Sequence, residues 1–322
     1  MGLLCKCGDS IANLGLPGCA PIASALTKLI VVPLYSSTGV ATSINPANVN
    51  NKAWITALVN NVDKSLRYQI MPSIKNITTD KSEATFEDFD DKSQSFVIEG
   101  VRTFKGILVN CPPKFKSKLE SIRCQTGNAG VYEVDLNGSA MGLNFGTDNL
   151  LYPKPIDTGS LYAMVVNGDY KKAGQIMLSF NYPAFVNDAS FAMISANDFP
   201  DFSFNSLPGI LDADIAAVGV PSTSVIVVDV LTVYGALDQK APISGLLIAN
   251  FTDPVNVTTS HVYDATSAVS HAITSVTESA TTPGRYTITL TVATTTLDNI
   301  QIGLSKTGFD GGLMASRLIL TT

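Results

Sequence analysis

The stretch Val262-Tyr263-Asp264-Ala265-Thr266-Ser267-Ala268-Val269, followed by Ile273-Thr274-Ser275-Val276-Thr277-Glu278 and by Gly284-Arg285-Tyr286-Thr287-Ile288-Thr289-Leu290-Thr291-Val292, decides the fold class. Apolar and hydroxylated residues alternate, which is the period of a strand with one face buried. Turn residues interrupt the alternation at a spacing of roughly 8–12 residues, as in an immunoglobulin-like sandwich. The last eighty or so residues therefore read as one small β-sandwich appended to a larger body.

Working toward the N-terminus, Ser222 to Tyr234 contains the run Val225-Ile226-Val227-Val228 and reads as a buried strand that closes the body. A domain boundary is expected near Ala236 to Ile243, where Gln239-Lys240-Ala241-Pro242 interrupts the β pattern. Leu161 to Val166 and Gln175 to Tyr182 read as two strands around the turn Asn167-Gly168-Asp169. Gly130 to Leu136 alternates and meets Asn137-Gly138, a two-residue hairpin signal, with Met141 to Phe145 as the partner strand. Pro112-Pro113 opens a helix over Lys114 to Ile122 whose apolar stripe is Phe115, Leu119 and Ile122.

Thr85 to Ser93 reads as a strand ending in an acidic turn, and Ser95 to Val109 as a long strand or a pair. Together they predict an extended antiparallel hairpin with a charged tip. Leu66 to Ile70 reads as a further strand. Asn50 or Asn51 caps an expected helix in which Trp54, Ala57, Leu58 and Val62 recur at helical spacing, with Trp54 as a core anchor. Leu29 to Tyr35 is β-branched and reads as a buried strand ended by Ser36-Ser37-Thr38-Gly39. Residues 1–25, rich in Gly, Cys, Pro and Asn, read as an arm. The expected organisation is thus mainly β: an arm over 1–25, a β-sandwich body with long hairpins and one or two short helices over 26–240, and an immunoglobulin-like domain over 241–322.

Composition narrows the function. The chain has 322 residues, 45% hydrophobic and only 15% charged, with a formal net charge of −6. Low charge leaves large neutral surfaces suited to self-association. A net negative chain lacks the clustered cations that a sequence-independent grip on nucleic acid requires. The most apolar run, Ile22 to Tyr35, is broken by Lys28 and Pro33 and is too short to span a bilayer. Met1-Gly2-Leu3-Leu4 does not open a secretory signal, so the reading is a soluble product of the cytoplasm.

Residue types that carry chemistry are sparse. His261 and His271 are the only histidines and both fall in the terminal sandwich, so a Ser-His-Asp or Cys-His arrangement would have to cross domains. No phosphate-binding loop, dinucleotide fingerprint or nucleophile elbow occurs. Cys5, Cys7 and Cys19 could offer three thiolates to zinc but lack paired C-x₂-C knuckles, so no cofactor is expected; Cys111 and Cys124 flank a short helix. The cluster Asp80, Glu83, Glu87, Asp88, Asp90 and Asp91 lacks the spacing of a calcium loop. A solvated hairpin tip, a hard-cation site and a glycosidase pair are the three readings of it.

The hairpin Thr85 to Val109, the helix Lys114 to Ile122, the hairpin Gly130 to Phe145 and the terminal sandwich together resemble the tail tube, or major tail, proteins of tailed bacteriophages. The opening Cys5-Lys6-Cys7-Gly8 … Gly15-Leu16-Pro17-Gly18-Cys19 with Lys28 to Pro33 is similar to virion proteins of phages of Bacteroidetes-type hosts. The resemblance implies a non-enzymatic structural protein of the virion tail. Six copies would form a ring, and rings would stack into a tube for DNA ejection. Its partners would be itself, other tail proteins, and DNA passing without specific binding. Carried over, Phe86 to Phe104 would supply lumen-side strands, with Glu87, Asp88, Asp90 and Asp91 lining the channel, where an acidic wall lets a polyanion slide. A capsid, decoration or neck-ring protein is the alternative; a cell-surface adhesin and a glycosidase are the readings outside the virion.

Overall fold

The run Leu-Thr-Lys-Leu-Ile-Val-Val-Pro forms the strand from which the first half of the molecule is built, and from Lys28 onward every residue of it is buried. The structure, a computed structural model, describes residues 23–49, 52–61, 66–90, 92–125, 127–146, 148–170, 173–198, 203–219, 222–232, 241–294, 299–310 and 318–319. It divides into two compact units, Met1–Gly209 and Ile210–Thr322. Nearly all of the expected arm, together with Asn50, Asn51, Val62, Asp91 and the three cysteines Cys5, Cys7 and Cys19, lies outside the described residues.

In the first unit the elements are β1 (Leu26–Pro33), α1 (Lys52–Val59), β2 (Gln69–Ile70), β3 (Ile74–Lys81), β4 (Thr85–Asp88), β5 (Gln94–Ile98), β6 (Arg102–Val109), α2 (Phe115–Ser121), β7 (Ala129–Asp135), β8 (Ala140–Leu143), β9 (Lys154–Pro155), β10 (Asp157–Val166), β11 (Gln175–Asn181) and β12 (Phe191–Ile194). One sheet runs β12-β8-β7-β1-β2 with β9 also on β7, and a second runs β10-β11-β6-β3. Their inner faces share one core: Leu29 and Val31 meet Phe104, Leu108, Leu161, Ala163, Ile176, Leu178 and Phe180. Phe104 and Phe180, cross-strand partners on β6 and β11, stack at 4.8 Å and 11°. The opposite face of the β1/β7 pair is also covered, since Ile30, Val32, Tyr132 and Val134 are buried. Tyr68, whose amide donates to the Leu58 carbonyl of α1, stacks on Tyr132 there. A strand buried on both faces reads as an unbroken apolar run rather than an alternation, which is why β1 was legible.

Several expectations are corrected in detail. In α1 the buried pair is Ile55 and Val59, while Trp54 is only half-buried and Ala57 is exposed. The strand expected over Leu66 to Ile70 shrinks to Gln69–Ile70. The β7–β8 turn is not a two-residue loop: Asp135 pairs with Ser139, and Gly138, at φ 88°, closes a three-residue loop on the Asp135 carbonyl. That is the type I turn with a left-handed glycine, the next commonest hairpin solution. The helix α2 meets expectation, with Leu119 and Ile122 buried and Phe115 packed against the core.

The second unit contains β13 (Leu211–Ala217), β14 (Val225–Thr232), β15 (Phe251–Thr252), β16 (His261–Asp264), β17 (Val269–Glu278), β18 (Arg285–Leu290), β19 (Asn299–Gln301), β20 (Gly303–Lys306), β21 (Phe309–Asp310) and β22 (Leu318–Ile319). The strand path is β15-β20-β21-β13-β14-β18-β17-β16-β19-β22. Two runs in it are diagnostic. The order β13-β14-β18-β17 is the A-B-E-D sheet of an immunoglobulin-type sandwich, and β15-β20-β21 is its C-F-G sheet. Strand β13 serves both, parallel to β21 through Leu211 and Asp212 and antiparallel to β14 from Ala213 onward. The boundary expected between 240 and 241 therefore falls between Gly209 and Ile210. Strand β14 does not close the body; it sits between β13 and β18 with Ile226, Val228 and Val230 in the core of this unit.

Candidate functional site

Strands β3 and β6 pair, and where that ladder ends the chain continues outward as the two-stranded ribbon β4–β5, which pairs with nothing else among the described residues. This is the expected charged hairpin, with the long strand split at Glu99 to Val101. The split has a backbone cause. The Ser82 amide donates to the Val101 carbonyl and the Val101 amide donates to Ser82 Oγ. A Cβ on Gly100 would stand 1.7 Å from the Ser82 carbonyl oxygen, so the crossing admits only glycine. Beside it, Asp188 accepts from Arg102 Nη2 at 2.9 Å and Lys81 Nζ at 3.2 Å, and Lys81 also pairs with Glu99. Burial alone would raise the Asp188 carboxyl; the bonds from Arg102 and Lys81 outweigh it and hold the group below its ordinary value. The base of the ribbon is thus clamped by charge.

Every described residue of β4 and β5 is exposed, including Phe86 at 52%, Phe96 at 54% and Ile98 at 52%. Cross-strand register pairs Phe86 with Phe96, Glu87 with Ser95 and Asp88 with Gln94. Alternation then puts Phe86, Asp88, Gln94 and Phe96 on one face and Glu87 and Ser95 on the other, while a register shift beside this stretch makes Thr85 the partner of Ile98. The first face is aromatic: Phe86 and Phe96 meet edge to face at 6.1 Å, and Gln94 Nε2 donates to Asp88 Oδ1 at 2.8 Å. At the tip, Phe89 and Ser93 close the turn, Lys92 takes a φ of 65° and Asp90 is exposed. Of the four expected channel-lining carboxylates, Glu87 and Asp88 point to opposite faces, Asp90 sits in the turn and Asp91 lies outside the described residues. One wall can take Glu87 or Asp88 but not both.

The parent sheet has open ends as well. Strands β3 and β10 are its terminal strands, and among the described residues neither is paired on its outer side. Strand β3 is bulged between Lys75 and Thr78, with Asn76 at φ 52°. On the sheet's outer face Tyr162, Met164 and Met177 are exposed. Exposed ladders and apolar side chains of this kind associate with another chain unless they are covered.

Elsewhere a buried carboxylate network is engaged structurally. Glu133, on β7, accepts from Lys154 Nζ at 2.6 Å and from the Tyr182 hydroxyl at 2.5 Å, all three buried. Lys154 Nζ also lies 3.9 Å from the centre of the Phe191 ring. Burial, then the neighbouring Glu133 charge, pushes the Tyr182 hydroxyl well above its ordinary value, so it stays a donor. Periodicity did not reveal this network, because Glu133 occupies an outward-looking place in an alternating strand that proves to be buried on both faces. His261 Nδ1 lies 2.8 Å from the Thr259 carbonyl, and His271 Nε2 lies 3.9 Å from Asp264 Oδ2. Cys111 and Cys124 are both free thiols. Among the described residues no group of three or more His, Cys, Asp or Glu side chains is placed to hold a metal, and no helix is long and apolar enough to cross a membrane.

Comparison of the chain with protein-family models and with curated proteins returns no match to either.

Proposed function

We propose that the chain is a self-assembling structural protein whose copies join through the β4–β5 ribbon and the open edges of the β10-β11-β6-β3 sheet, forming the stacked rings of a phage tail tube. The observation that carries this reading is the ribbon itself. Two strands with both faces in solvent are at most marginally stable alone, and three or more strands or a packing layer are needed. The missing layer is supplied when the ribbon of one copy lies against a neighbour, and ring closure pairs edges that a lone copy leaves open. Glu87, on the more polar face, is the ribbon carboxylate best suited to a channel wall. The role is non-enzymatic, and the partners are further copies, other tail proteins and passing DNA; the place is the virion tail.

Negative-stain microscopy of the purified full-length protein at increasing concentration tests the reading. Hollow tubes of constant width are the expected result. Closed shells would favour a capsid or decoration role. A monomer at every concentration would overturn self-assembly.

A further inference from the structure

The two ends of strand β6 carry opposite charge. At its start, between Glu83 and Lys92, the sequence holds five carboxylates and one lysine, on or beside the ribbon. At its end, Pro112-Pro113 turns the chain into α2, and between Lys114 and Arg123 there are four cations and one carboxylate. That carboxylate, Glu120, is bonded to Lys116 at 3.0 Å, which leaves the surface positive in sum. Lys114 and Arg123 are exposed. Eight residues of strand separate the two ends, roughly 27 Å at about 3.4 Å per residue. The ribbon projects beyond the first end, so it cannot fold back on the helix of its own copy.

The basic end also carries apolar surface. Asn128, just after the helix, bonds Tyr35 twice, its Oδ1 accepting from the Tyr35 amide at 2.8 Å and its Nδ2 donating to the Tyr35 carbonyl at 3.0 Å. This ties the segment that follows Arg123 to the turn on which Tyr35 and Val40 are exposed. The ribbon's aromatic face presents the complement: Phe86 and Phe96 with Asp88 beside them and Asp90 at the tip.

We propose that the acidic, aromatic ribbon of one copy docks on the basic α2 end of the next copy, head to tail. The proposal rests on the self-assembly reading above and adds the surfaces that meet. A contact between two different patches of the same molecule is heterologous and repeats until a rotation closes it, so it propagates a row of copies with one polarity. The opposed charges set the direction, because ribbon against ribbon or helix against helix brings like charges together.

The test uses three full-length proteins: the wild type, a ribbon variant (Glu87→Lys, Asp88→Lys and Asp90→Lys) and a helix variant (Lys114→Glu, Lys116→Glu and Arg123→Glu). All substitutions are at solvent-facing positions, and circular dichroism with thermal melting checks that each folds. Sedimentation velocity and negative stain then read assembly. Each variant alone should need at least about tenfold more protein to assemble than the wild type, since like charges now oppose each other. An equimolar mixture of the two variants should recover assembly, because each reversed ribbon then finds a reversed helix. Wild-type assembly with both variants unimpaired, or impaired without recovery on mixing, overturns the docking while leaving self-assembly in place. A wild type that never assembles overturns the self-assembly reading, and the docking with it.

Discussion

Two hairpins of this molecule have the same kind of sequence and opposite fates. In the β17–β18 hairpin, Tyr286, Ile288 and Leu290 alternate with polar residues and all three are buried. In the β4–β5 ribbon, Phe86 and Phe96 face each other across the two strands and each remains more than half exposed. The difference is not in the strands but in what lies over them: β18 is flanked by β14 and β17 and faced by the second sheet's residues, whereas the ribbon leaves its sheet where Gly100 crosses Ser82. A sequence period reports which side of a strand is apolar. It does not report whether the same chain provides the cover.

Core and ribbon substitutions should therefore separate stability from assembly. The largest stability effects belong to the interior. Lys154→Met leaves the Glu133 carboxylate buried without its cation and should cost about 3–5 kcal/mol in denaturant unfolding. Replacing both partners with apolar residues of similar size should recover most of that loss, and failure to recover would mean the pair does more than neutralise itself. Phe104→Ala, which removes the ring stacked on Phe180, should likewise cost about 3–5 kcal/mol.

An intermediate effect is expected in the second unit. The Tyr286 hydroxyl donates to the Ile243 carbonyl at 2.8 Å and accepts from the Leu246 amide at 3.2 Å. Tyr286→Phe should cost about 1–3 kcal/mol by leaving buried backbone groups unpaired, read as a drop in that unit's melting transition. A smaller effect concerns pH. The amides of Gly245 and Gly284 donate to Glu278 and hold its carboxyl at about 2, below the ordinary 4.5. A depressed folded-state value means the stabilisation is complete above the unfolded value, fades as pH falls from about 4.5 toward 2, and is gone below that. The melting temperature of Glu278→Gln should therefore fall less steeply than the wild type's between pH 5 and pH 2.

The smallest stability effect sharpens the comparison most. Phe96→Ala should change unfolding free energy by no more than about 0.5 kcal/mol, as for any surface site, while weakening assembly measurably by sedimentation. A loss of stability comparable to that of Phe104→Ala would show that the ribbon is packed within its own copy, contrary to its exposure here.

Much of the architecture follows from residue order alone. The β-branched run of β1, the stripe Phe115, Leu119 and Ile122, the hairpin with a charged tip and the alternation of β16 to β18 are local signals, because strand and helix periods are imposed by backbone geometry on neighbouring residues. Tertiary structure decided what depends on distant partners. The assignment of β13 and β14 to the second unit rests on pairings with β21 and β18 that lie more than fifty residues away. The burial of Glu133 depends on Lys154, from β9, and Tyr182, just after β11, arriving from distant segments. The meeting of Phe86 with Phe96 and of Asp88 with Gln94 requires the register with β5, since a one-residue slip would carry Phe96 and Gln94 to the other face. A chain writes its own periods, but which face meets core, solvent or another copy is settled only when non-adjacent segments come together.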